Sequence, residues 1–298
     1  MSDVVRMLIV GTMWGLHGPL LKMGFAAGLS FPQAALGEYV VGATAFGVAC
    51  WARRTGWPPA TLRFWGAMLA CGVVGSGVAL FLFWSYQLGP VPVGATLLFL
   101  YVPFTTVLQA MLARRMPPVS RWISVILVTA GAFVATDFIG VAGRDNLAGA
   151  PQAILAALCF ALFFLMSARL GDQATPEWRS FLFSVLSGLV VLGVAWGVGW
   201  GLEPAGGWGR VQVGWVLVLG GIGQIVPVFL LVKAAPKVGG GLGSILTSVE
   251  LPVAVGMSAW LLGEGIRGVQ VLGVLLILGG IAVPAMMSGP VSAAGKPE

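Results

Sequence analysis

The sequence predicts an all-α membrane protein with ten transmembrane helices in two inverted five-helix repeats. Three observations carry this reading. Of the 298 residues, 58% are hydrophobic and only 9% charged, with a mean hydropathy of +0.97, whereas about a quarter of a soluble chain is charged. The apolar runs are long and continuous rather than short and alternating, which selects helices over a barrel. The chain also matches itself when displaced by 149 residues, half its length. At ~21 residues per crossing, ten crossings use about 210 residues and leave no room for a soluble catalytic domain.

Charge and Pro/Gly punctuation divide the apolar runs into spans near 4–24, 31–51, 64–86, 90–111, 120–138, 151–169, 178–200, 212–234, 239–262 and 266–286. The first follows Asp3, and the second opens at Ser30-Phe31-Pro32 and stops at Arg53-Arg54. The third runs from Arg63 to Gly89-Pro90, the fourth from there to Arg114-Arg115, and the fifth from Pro117-Pro118 to Asp137. In the second half, Pro151 and Arg169 bound the sixth span, Trp178 and Trp200 the seventh, and Arg210 and Lys233 the eighth. The ninth starts at the glycines 239–241 and ends at Gly263-Glu264; the tenth follows Arg267. No leader cleavage pattern follows the first span, so it reads as retained.

Ten alternating spans sort the sixteen basic residues unequally. Lys22, Arg144, Arg210 and Arg267 fall on one side and the other twelve, Lys296 among them, on the opposite side. The positive-inside rule assigns the twelve, and with them both termini, to the cytoplasm. The net charge of +6 thus reports orientation rather than nucleic-acid binding. Cys50, Cys71 and Cys159 lie in apolar stretches at spacings that fit neither a disulfide framework nor a metal site.

The displacement by 149 residues lays Leu88–Val134 over Lys237–Val283 without a gap. Gly94 falls on Gly243, Pro103 on Pro252 and Gly131 on Gly280, and such glycine and proline matches mark shared backbone needs. Each half holds five spans, an odd number, so the second half crosses in the opposite sense. Inverted repeats are the usual architecture of secondary transporters, with the substrate site near the midplane between the halves. The glycine runs lack the Lys-Ser/Thr of a phosphate loop, so neither ATP-driven transport nor a cofactor is expected.

Trp14-Gly15 with Gly18-Pro19 in the first span, and Gly243-Ser244, Glu250, Pro252, Gly263-Glu264, Gly273 and Gly279-Gly280 near the end, carry a family resemblance. The chain resembles the drug/metabolite transporter superfamily, in particular its EamA-type branch of ten-helix bacterial inner-membrane proteins. The resemblance implies a first five-helix repeat at 1–145, a second at 146–288 and a short cytoplasmic tail at 289–298. It implies a non-enzymatic exporter of small organic metabolites, amino acids and aromatic ones included, with multidrug or nucleotide-sugar carriers of the same fold as the alternative. It also places spans five and ten outside the cavity, where they can mediate pairing into a homodimer, with membrane lipid as the remaining partner. The sequence departs from the family pattern at Arg114-Arg115, where the first repeat would often carry Gly-Glu, which argues against a symmetric pair of functional glutamates.

Ionisable groups inside a bilayer are expensive and by default face the bundle interior or a water-filled route. Glu250 lies near the centre of the ninth span and is the foremost candidate, with Thr247 and Ser244 near one helical stripe with it. The set suits an ammonium group or a proton; a protonated glutamate bonded to another helix is the bland alternative. His17 and Glu38 lie at matching depths in adjacent antiparallel spans, as a substrate-binding or a purely structural pair. Trp14, Tyr39, Phe83 and Tyr101 offer ring faces for a flat or cationic ligand, and Gln224 an uncharged hydrogen-bonding group. Tyr101 coincides with Glu250 under the displacement, and both are expected on the central cavity. Tryptophans near span borders, such as Trp51, Trp65 and Trp178, fit interface anchors.

Overall fold

Helix α1 (Asp3–Ala26) starts where Ser2 Oγ accepts a hydrogen bond from the Val5 amide at 3.3 Å, with Asp3 in the first turn; both satisfy the positive end of a helix. The computed structural model describes residues 1–88, 91–136, 147–170, 173–204, 207–262 and 267–287. Glu264, Gly263, Arg144, Lys296 and the tail at 289–298 lie outside the described residues. In order follow α2 (Phe31–Ala52), α3 (Leu62–Leu88), α4 (Val91–Leu98), α5 (Tyr101–Ala113), α6 (Val119–Ala135), α7 (Ala150–Arg169), α8 (Pro176–Val198), α9 (Arg210–Leu219), α10 (Val226–Val238), α11 (Gly240–Thr247), α12 (Glu250–Leu262) and α13 (Gly268–Met287). A π-helical segment, Gly220–Ile225, joins α9 to α10.

Among the described residues, eight stretches are long and apolar enough to cross a membrane, with Val119–Ala135 and Gly268–Val283 as shorter apolar helices. The chain is therefore a multi-pass membrane protein, all-helical over the described residues, and the described part of each expected span overlaps a helix. Three spans expected as continuous are broken, and proline explains each break. Pro103 has no N–H for the Phe99 carbonyl, which accepts instead from Val102 N at 3.1 Å. Pro252 frees the Ser248 carbonyl in the same way, and Leu251 N bonds to it at 3.2 Å. In the eighth span Pro227 frees the Gly223 carbonyl, and the helix widens into the π segment just before it. A freed carbonyl at membrane depth needs another donor.

The 149-residue displacement holds at the level of elements: α4 and α5 map residue for residue onto the bounds of α11 and α12. The packing repeats as well. Helix α1 packs on α10 and α12 as α7 packs on α3 and α5, while α2 packs on α8 and α6 on α13. One end of the bundle brings Arg53 at the close of α2 against Glu177 at the start of α8 (2.5 Å), and Gln109 of α5 against the Gly241 amide of α11 (2.9 Å). At the other end Gln212 of α9 donates to Ala27 O at 3.2 Å, and Phe31 meets Trp200 at 4.8 Å between centroids.

Two glycines explain how α1 seats on the break between α11 and α12. A Cβ on Gly11 would lie 2.4 Å from the Thr247 carbonyl oxygen, and one on Gly15 would lie 2.4 Å from that of Glu250. This small-xxx-small spacing lets two membrane helices approach to backbone contact. The cognate joint is built differently: the positions that match Gly11 and Gly15 hold Phe160 and Phe164, whose rings pack on Tyr101 at 4.6 and 5.6 Å.

Candidate functional site

A cavity of about 150 Å³ lies between the two halves of the chain. The first half lines it from α1, α2, α3 and α4; the second lines it from α7, α8, the π segment, α10 and α12. Helices α6 and α13, expected outside it, contribute none of its described lining residues and pack on each other.

Seven of the expected site residues are on this wall: Trp14, His17, Glu38, Tyr39, Phe83, Gln224 and Glu250. His17 Nε2 and Glu38 Oε1 are 2.8 Å apart, and both side chains are largely buried. The pair stands against Gly223, where a Cβ would fall 2.6 Å from His17 Cδ2 and 2.8 Å from Glu38 Oε2. Glycine at this point of the π segment is thus a requirement of close approach. The Gly223 carbonyl that Pro227 leaves free accepts from Trp14 Nε1 at 3.1 Å. One residue on, Gln224 Nε2 donates to Ser184 Oγ at 3.1 Å. Tyr39 donates to Gly75 O at 3.0 Å, which holds its ring edge-on to Phe183.

Glu250 stands apart from these bonded groups. It opens α12 immediately after the break, lines the cavity, and its buried Oε2 has no hydrogen-bond partner. Magnitudes bear on what such a group is for. Charged residues cost about 3 kcal/mol each at the centre of a membrane helix, while interhelical hydrogen bonds in membranes return about 0.6 kcal/mol on average. Interhelical bonding alone would not repay two carboxylates held charged, and Glu250 leaves one oxygen without a partner.

Tyr101, Ser244 and Thr247 are corrected in position. They do not line the cavity; the Tyr101 hydroxyl bonds to the Ser244 carbonyl and to Thr247 Oγ1, each at 3.2 Å, in a fully buried cluster. The single helical stripe expected for Ser244, Thr247 and Glu250 does not form, because the break at 248–249 resets the helical phase between them. Trp260 is 77% exposed and Trp51 82% exposed, so both face outward. Arg114 takes a left-handed conformation at the C-cap of α5 and, like Arg115, is exposed, which fits an anchor at the membrane border.

Tyr86, one of the aromatics clustered in the first four spans, is on the wall as well, and Phe160, Phe163 and Phe183, which were not singled out from the sequence, complete it. The displacement contains a signal for one of them: Trp14 maps onto Phe163, and both line the cavity. Among the described residues no three His, Cys, Asp or Glu side chains gather as a metal site.

The EamA-like transporter family matches the chain twice, over residues 2–136 and 147–285. One solved crystal structure superposes with a TM-score of 0.78 over 96% of this chain and 96% of its own, at 15% sequence identity. That likeness concerns the fold. No curated protein matches the chain.

Proposed function

Since the chain belongs to the EamA-like transporter family, a membrane transporter of the drug/metabolite type, we propose that it is a bacterial inner-membrane secondary carrier exporting small organic metabolites. Amino acids, aromatic ones included, are its cargo, and alternating access of the central cavity moves them. The observation that carries this reading is a cavity between the two halves lined by His17–Glu38, by aromatic rings and by an unpartnered Glu250 oxygen.

The architecture that goes with it is ten crossings in two inverted repeats. Support comes from the element bounds that recur after 149 residues, and from α1 and α7 beginning at opposite ends of the bundle: Met7 of α1 nears Gly243, whereas Gly149 before α7 nears Ser85. The arginine-rich end, with Arg53, Arg114, Arg115 and Arg169, is then cytoplasmic, as are both termini.

The test is flux in proteoliposomes of purified protein. Saturable counterflow of phenylalanine, tyrosine or tryptophan is expected, and Glu250→Gln should lower it by at least about tenfold, the equivalent of 1.4 kcal/mol, with thermal stability retained. Folded protein that moves no amino acid but carries nucleotide sugars or hydrophobic drugs would overturn the substrate class.

A further inference from the structure

We propose that the cavity recognises its cargo by the amine alone, so that aromatic amines without a carboxylate bind at least as well as the matching amino acids. The inference rests on the cavity being the transport site. It follows from which charges the wall offers.

Among the described lining residues the carboxylic acids are Glu38 and Glu250 and the one basic side chain is His17, with no lysine or arginine. Glu38 is already engaged with His17 at 2.8 Å, while Glu250 presents a buried oxygen with no donor. An ammonium brings three donors and no acceptor, and its bond to a carboxylate belongs to the strong, charge-assisted class. The carboxylate of an amino acid finds the reverse. It enters beside two acids, and the one cationic candidate, His17, turns its Nε2 to Glu38. Like charges repel most where water is scarce, so this second group is tolerated at best.

Size and wall chemistry limit the remainder of the ligand. About 150 Å³ matches the volume at which a dry apolar cavity takes up benzene, room for one aromatic ring. Trp14 and Phe160 meet edge-on at 5.2 Å, and Phe83 and Tyr86 stack at 6.5 Å. Their faces attract both a ring and a nearby cation.

Three ligands on one phenylethyl skeleton separate the groups: phenylalanine, phenylethylamine, which lacks the carboxylate, and 3-phenylpropionate, which lacks the amine. Their affinities for the purified full-length carrier are measured by calorimetry and their transport by counterflow in proteoliposomes. Phenylethylamine is expected to bind no more weakly than phenylalanine, and 3-phenylpropionate about thirtyfold more weakly or worse. Glu250→Gln should weaken phenylethylamine by about tenfold, with part of the affinity kept in Glu250→Asp. Because the ligand series is read on the unaltered protein, the proposal stays testable even if these variants fail to fold. Binding of phenylalanine without phenylethylamine, or of 3-phenylpropionate as tightly as phenylalanine, overturns amine recognition and leaves the amino-acid carrier standing. Binding of phenylethylamine alone upholds amine recognition and removes amino acids as cargo. If none of the three binds, both fall.

Discussion

At the scale of single residues, Gly223 is where the most depends on the least. It lets His17 and Glu38 reach the π segment, and its carbonyl holds Trp14. Gly223→Ala should push the pair aside, since the nearest atoms belong to a buried, bonded couple; overpacking of this kind costs about 1–3 kcal/mol. Substrate affinity and flux should both fall, whereas Gly221→Ala, whose methyl meets nothing within 4 Å, should change neither. Calorimetric binding on the two variants checks this, and equal effects would remove Gly223 from the site. The ionisable wall was legible in the sequence because buried acids and the lone histidine are rare enough to stand out. Phe160, Phe163 and Phe183 were not, since one phenylalanine among sixteen carries no mark of the surface it faces. Tyr101 misled for a related reason: its match to Glu250 is real, but at the cognate joint its hydroxyl is consumed by Ser244 and Thr247.

At the scale of elements, the broken helices matter most, and they show why spans were easier to read than their interruptions. Hydrophobicity marks where a segment crosses; it does not say whether Pro103, Pro227 and Pro252 bend, split or widen the helix. That depends on which donor reaches the freed carbonyl, and for Pro227 the donor is Trp14, more than two hundred residues away in sequence. The joint between α1 and the break at 248–249 is equally dependent on space. Gly15→Leu would drive a side chain into the Glu250 carbonyl and Val253, so α1 should no longer seat. A drop of several degrees in thermal unfolding in detergent, larger than that of Gly18→Leu, is the expected result. Gly18 is the proper control because an added Cβ there meets nothing within 4 Å.

At the scale of the molecule, the halves are interleaved rather than side by side: α1 packs on α10, α11 and α12, and α7 on α3, α4 and α5. The first helix of each half packs chiefly on the other half, and α7 also touches α10 and α11 of its own. Expressed separately, residues 1–145 and 146–298 should each be degraded or aggregate, while co-expression should yield a complex that co-purifies and transports; two halves each stable alone would contradict the interleaving. The repeat itself was visible from the register of glycine and proline, but this exchange of first helices was not, because sequence identity between halves says nothing about which half a helix joins. The exchange also bears on the cavity. Positions that match His17, Glu38 and Glu250 hold Met166, Ser187 and Tyr101, so two copies of the first half would have no acid at the α12 position, and two copies of the second no imidazole. A cavity made by twin halves would accept a cargo equally well in two reversed poses. Here His17, Glu38 and Glu250 have no counterparts of like chemistry in the opposite half, so the wall is not two-fold symmetric, and a cargo bound as proposed would take a single preferred heading within the bundle.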